Sequence, residues 1–175
     1  MLGLSACAPD DHQLVPETTA PGTDAPGTFS PTDDPVNEAI GINCQQLVTD
    51  QVVYDWGNGN FAIDVDYAPA AGTPAVEVVA AGGLACSWVN LTSGERLDVA
   101  VAILADDEMA AERASIAASA EPVADFGVDG YFALDAGTGR ADAFTSKYWL
   151  TATSSSFGVA GDAAPIVTAA LAALG

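Results

Sequence analysis

"LACSWVNLTSGERLDVAVAIL", residues 84–104, is the stretch that decides the fold class. Two apolar-rich runs, 84–90 and 96–104, flank "LTSGE", where Ser93-Gly94 supplies the turn chemistry of a β-hairpin. The hairpin makes this part of the sheet antiparallel, because strands joined by so short a turn must run in opposite directions.

Working toward the N-terminus, Gly82-Gly83 stops a short helix over 75–81, and the segment around Pro69 to Pro74 reads as a loop. Before it, Phe61, Ile63, Val65 and Tyr67 alternate with Ala62, Asp64 and Asp66, the pattern of a half-buried strand, with a loop as the alternative. "GNGN" (57–60) breaks a helix, "CQQLVTDQVVYDW" (44–56), in which Leu47, Val48, Val52 and Trp56 fall near one face. Working toward the C-terminus, Asp106-Asp107-Glu108 charges the start of a helix running to about Ser119, which suits the helix dipole. Pro122 ends that region. Runs at 131–134, 140–145 and 147–153, with a Gly137-Thr138-Gly139 turn, read as a three-stranded meander. A last helix over 162–174 places Ile166, Ala170 and Leu174 along one face. The expectation is an α+β domain over 37–175, an antiparallel sheet of five or six strands with helices packed on it.

Half of the 175 residues are apolar, enough for the core of a single domain. There are 24 acidic residues against 4 basic ones, a formal net charge of -20. Such a field repels nucleic acid and anionic headgroups, and the basic residues Arg96, Arg113, Arg140 and Lys147 form no cluster. A solvated acidic surface is the plain reading of the charge. No apolar run reaches the eighteen or so residues that span a bilayer.

Residues 8–36 have a different composition: six of the ten prolines, six acids, and neither lysine nor arginine. A tract like this buries too little apolar surface to offset its chain entropy, so a disordered or extended linker is expected. An echo runs through it, Ala20-Pro21-Gly22-Thr23-Asp24 and then Ala25-Pro26-Gly27-Thr28-Phe29. His12, the only histidine, lies there. At its head, Leu4-Ser5-Ala6-Cys7 resembles the lipobox of bacterial lipoproteins, whose cysteine carries a diacylglyceryl group. That resemblance implies residues 1–7 as the remnant of a signal peptide, Cys7 as the lipid attachment point, and residues 8–36 as a tether. It places the domain on the extracytoplasmic face of a cell membrane.

Two cysteines lie inside the domain, Cys44 and Cys86. In an oxidising compartment the simplest outcome is one bridge between them; in the cytosol they would be free buried thiols. Cys44-Gln45-Gln46-Leu47, then Gly82-Gly83 and Cys86-Ser87-Trp88 before an alternating strand, resemble a family of actinobacterial cell-envelope lipoproteins of unknown function. In layout the likeness runs from Cys7 to the end of the chain, but about eight positions carry it. It implies a lipid-anchored domain with a Cys44–Cys86 bridge, and no catalytic residues. A bridge closing about 43 residues contributes roughly 4 kcal/mol on the chain-entropy model, less any strain.

For catalysis, residues 37–175 contain no histidine, so histidine-assisted nucleophilic chemistry is excluded there. No Gly-rich phosphate loop follows a strand, and no cofactor or metal set is read. Asp64 with Asp66, and the Asp106-Asp107-Glu108 run, are the carboxylate groupings from which a hydrolase or a calcium site would be built; solvated acids are the simpler reading. Asn90-Leu91-Thr92 matches a glycosylation acceptor but also suits a hairpin turn. Trp56, Trp88 and Trp149 are candidate contacts, with a place in the core as the simpler reading of each. The expectation is therefore a non-enzymatic module that takes a small or lipidic ligand or an envelope component. Docking on an envelope protein is the alternative, and a carboxylate-dependent hydrolase comes third.

Overall fold

The structure, a computed structural model, describes residues 37–175. Cys7 and the 8–36 tract lie outside the described residues.

The hairpin forms as its sequence requires. Strand β2 (Leu84–Asn90) pairs antiparallel with β3 (Arg96–Ala102). At the turn the Asn90 side-chain oxygen accepts from the Thr92 and Ser93 amides, and Gly94 takes φ +75°. Asn90 thus serves as a turn former at the head of the glycosylation-like triplet. Before the hairpin lies β1 (Phe61–Ile63), and after it come β4 (Glu121–Val123), β5 (Asp129–Asp135), β6 (Thr138–Phe144) and β7 (Trp149–Ser154). They form one sheet in the order β1-β2-β3-β7-β6-β5-β4, antiparallel at every step. The last strand docks on β3, so the sheet joins an N-terminal and a C-terminal meander along its middle.

The α+β class is as expected, but the sheet has seven strands rather than five or six. The extra one is β4, which pairs Pro122 with Tyr131 at the sheet's edge. An edge position tolerates proline because one side of the strand needs no partner. The 61–67 run is shortened for a local reason. Its strand stops at Ile63, and the Asp64 carboxylate accepts from the Asp66 amide while the Asp64 carbonyl accepts from the Tyr67 amide. An Asx turn of this kind takes the backbone out of the ladder.

Helices cover both faces. Residues 44–56 form two helices, α1 (Cys44–Leu47) and α2 (Asp50–Gly57). Between them Val48 is extended and fully buried, and the Thr49 hydroxyl caps α2 by accepting from the Val52 amide. These two and α5 (Ala160–Leu174) pack on the face that carries Cys86, Trp88, Leu97, Val99 and Leu150. On the opposite face α3 (Pro74–Ala80) and α4 (Asp106–Ala117) pack on Ala100, Ala102, Phe144 and Trp149. Helix α5 begins two residues before the expected 162, because the Asp162 carboxylate reaches back to the Gly158 and Val159 amides and caps it. Its buried stripe is Ala163, Ile166, Val167 and Ala170, with Leu174 only half-buried at the end. A Cys44–Cys86 disulfide, with Cα atoms 5.5 Å apart, fastens α1 to β2. A four-residue helix cannot sustain itself by its own hydrogen bonds, so this link and the Asn43 capping box hold it in place.

Candidate functional site

The site grows out of the α2–β1 turn. Asn58, in the left-handed region at φ 53°, ends α2, and Gly59 follows at φ +77°. The reversal brings Phe61 back across the helix end, where its ring lies against Gly57; a methyl group on Gly57 would run into that ring. The Phe61 and Trp56 rings are thereby held with centroids 5.1 Å apart. Trp56 is fixed from two further sides. Its indole N–H donates to the Asp162 carbonyl at 3.0 Å, and its ring meets Phe157 edge-on at 5.6 Å. The result is a rigid, half-buried aromatic pair at the mouth of an open cleft of about 600 Å³. That lies within the roughly 300–1,000 Å³ range of small-ligand sites. Asn90 and Glu95 enter from the β2–β3 turn, Ser156 from the chain after β7, and Pro165 from α5.

The polar groups of the cleft fall into two sets. Each acid is held to the protein through one carboxylate oxygen. Glu95 accepts from the Ser155 and Ser156 hydroxyls at 2.7 and 2.6 Å, Asp162 caps α5, and Asp55 accepts from Gln51 at 2.8 Å. The asparagines are not committed. The Asn58 and Asn60 side-chain amides hold no hydrogen bond from another described residue, and Asn90 uses its oxygen in the turn and leaves its NH₂ free. No lysine or arginine lines the cleft. It therefore offers an aromatic face, the neutral amides of the asparagines and the second oxygens of three carboxylates, without a positive charge.

A second polar group lies on the other face of the sheet. Arg96 donates to Asp64 at 2.6 Å and to the Ser87 hydroxyl at 2.9 Å, and pairs with Asp98 at 3.6 Å. Its own pKa is raised, first by the hydrogen bond to Asp64. Its guanidinium sits over the Tyr67 ring, whose phenol is held well above its ordinary value by burial and then by Asp98. Further along, buried Asp142 accepts from the Trp149 indole at 3.1 Å and pairs with Arg140 at 2.7 Å. Arg140 also approaches Glu112, whose carboxyl is raised, first by burial and then by Glu77. These ion pairs fasten α4 and the 64–67 turn to the sheet.

The residues singled out in the sequence are dispersed. Trp88 and Trp149 are core, 1% and 2% exposed, while Trp56 borders the cleft. Trp88 and Trp149 lie in the clusters on opposite faces of the sheet, so the three tryptophans do not share one site. Asp64 is spent on Arg96, and Asp66 lies beside it in the turn rather than on a strand face. Asp106, Asp107 and Glu108 are exposed at the start of α4, where the Glu108 carboxylate caps the helix through the Ala105 amide. Cys44 and Cys86 are joined, and Cys7 lies outside the described residues. Sequence reading assigns Phe61 to a strand, Asn90 to a turn or glycosylation-like triplet, and Asn58 and Asn60 to a helix end, and none of them to a ligand site. The signal was present in "GNGN", which also marks a helix end and was read only as that. Among the described residues no helix is long and apolar enough to cross a membrane. Comparison of the chain with protein-family models, curated proteins and solved structures finds no match.

Proposed function

We propose that this chain is a lipid-anchored, extracytoplasmic binding module that captures a ligand in the Trp56–Phe61 cleft and performs no chemistry on it. The observation that carries the reading is the fixed aromatic pair beside three asparagine side chains with hydrogen-bonding groups still free. Binding sites need this combination, a shaped apolar surface and a few placed polar groups. Residues 37–175 hold no histidine, and their two cysteines are bridged, so histidine-assisted and thiolate chemistry is missing there. The cleft carboxylates are each hydrogen-bonded to protein donors, whereas a hydrolase turns its acid toward the scissile bond. The disulfide supports export, since such bonds persist in oxidising compartments. The lipobox-like Leu4-Ser5-Ala6-Cys7 supports an anchor, and the 8–36 tract is then a tether that lets the domain search the space above the membrane.

Two measurements test this. Protein taken from the producing cells should partition into detergent, and Cys7→Ala should move it to the aqueous phase or leave it unprocessed; equal aqueous partitioning of both forms rejects the anchor. Native mass spectrometry of the same material should find a bound small molecule that Trp56→Ala releases. A ligand retained unchanged by Trp56→Ala in a folded protein rejects the cleft as its site.

A further inference from the structure

We infer that the cleft recognises a neutral glycan, with a sugar ring resting on the Trp56–Phe61 pair and its hydroxyls read by Asn58, Asn60 and Asn90. This rests on the preceding reading of the cleft as the binding site and names the ligand class. The competing classes are separated by the lining. A phosphorylated or carboxylated ligand needs a cation or a helix N-terminus to hold it, and no lysine or arginine lines the cleft. Asp162 has already filled the N-terminus of α5 with its own carboxylate. A cationic ligand needs acids free to turn toward it. Glu95 and Asp162 each hold two protein donors on one oxygen, and Asp55 holds one, which fixes how they lie and leaves their second oxygens to accept from hydroxyls; spermine in the test below stands for the cationic class. A lipid chain needs an enclosed apolar channel, whereas this cleft is open and largely polar, with Trp56, Phe61 and Pro165 as its main apolar walls.

A sugar matches what remains. Its hydroxyls are both donors and acceptors, and so are the primary amides of Asn58 and Asn60; the free NH₂ of Asn90 adds donors. Its axial C–H faces are apolar and lie flat on aromatic rings. The rings here are already immobilised, by the Trp56–Asp162 hydrogen bond and by the close seat of Phe61 on Gly57, so little ordering cost falls on binding.

The test uses the full 175-residue chain, labelled with ¹⁵N. The probes are neutral oligosaccharides (oligomers of N-acetylglucosamine, mannose and glucose), their monosaccharides, a hexose phosphate and spermine. At least one neutral oligosaccharide should shift the Trp56 indole and the asparagine side-chain amide signals in a saturable way. Preference for the oligomer over its monosaccharide assigns the source to a polysaccharide, and the reverse to a free sugar. Three variants preserve the fold while removing recognition. Asn58→Gly keeps the left-handed backbone, Asn90→Asp keeps the turn acceptor and removes the donor, and Asn60→Ala removes a side chain bonded to nothing. Each should weaken binding by about 3- to 10-fold, the worth of one hydrogen bond, without shifting the melting temperature. Saturable binding of spermine or the hexose phosphate in the cleft, with no response to the neutral sugars, overturns the glycan class and leaves the binding reading standing. Absence of any shift with the neutral sugars at millimolar concentration overturns the inference as well. Ligand shifts confined to residues away from Trp56 overturn both readings.

Discussion

At the scale of single residues, the cleft depends on Gly57, a position whose importance lies in what it lacks. Phe61 occupies the space a Cβ would take, and Phe61 in turn sets the angle of Trp56. Gly57→Ala should therefore displace the Phe61 ring, cost about 1–3 kcal/mol as an overpacking change, and alter Trp56 fluorescence. Unfolding in urea with a fluorescence readout checks this; an unchanged emission spectrum would show that Phe61 moves aside freely. On the other face, Glu112 has its carboxyl raised by burial and by Glu77, more than the nearby Arg140 lowers it. A raised folded pKa means that the folded state holds the proton more tightly than the unfolded chain. The contribution of Glu112 to stability is thus fully present below the unfolded carboxylate value and is lost as pH rises through the folded one. Glu112→Gln should match the wild type in acid and be the more stable of the two at neutral pH. Denaturation midpoints across a pH series measure the difference, and a gain that grew toward acid would reverse the sign assigned here.

At the scale of elements, the weakest helix is tied most firmly. Helix α1 has four residues, and its bridge from Cys44 to Cys86 reaches across to a central stretch of β2. The replacement of both cysteines by serine should cost about 2–5 kcal/mol, and hydrogen exchange should speed up first in α1. Uniform acceleration over the whole sheet would instead mean that the bridge acts only on the unfolded chain. The elements also show where sequence patterns are decisive. Leu97, Val99 and Val101 alternate with Asp98, Ala100 and Ala102, and that period survives in β3 because a strand buried on one face by large residues has a single register that works. The same alternation over 61–67 fails after Ile63. There the Asp64 side chain pairs with Arg96 and accepts from the Asp66 amide in an Asx turn, which takes the backbone out of the ladder. The 44–56 helix pattern likewise continued through Val48-Thr49, yet a threonine cap and a buried valine split it. Strand β4 has no alternation to detect over three residues and exists because β5 has an open edge for it.

At the scale of the whole molecule, the seven-stranded sheet is covered by helices on both faces, and the candidate site lies at the end where α2, the β2–β3 turn and the start of α5 converge. The cleft residues named above all belong to residues 37–175. Deletion of 8–36 should leave the intrinsic affinity for a soluble ligand unchanged; calorimetry on both forms measures it. A loss of affinity would assign the tract a direct part in recognition. Composition, periodicity and turn residues determined the α+β class, the central hairpin and the final helix, because these rest on local geometry and on burial patterns of short period. The seventh strand, the docking of β7 on β3 and the cleft itself were decided by the tertiary structure. Asn58 and Asn60, Asn90, and Ser156 are far apart in the chain, and each reads locally as a turn or loop residue. Only folding brings them around one aromatic pair, because whether an amide is free or satisfied depends on its neighbours in space and not on its neighbours in sequence.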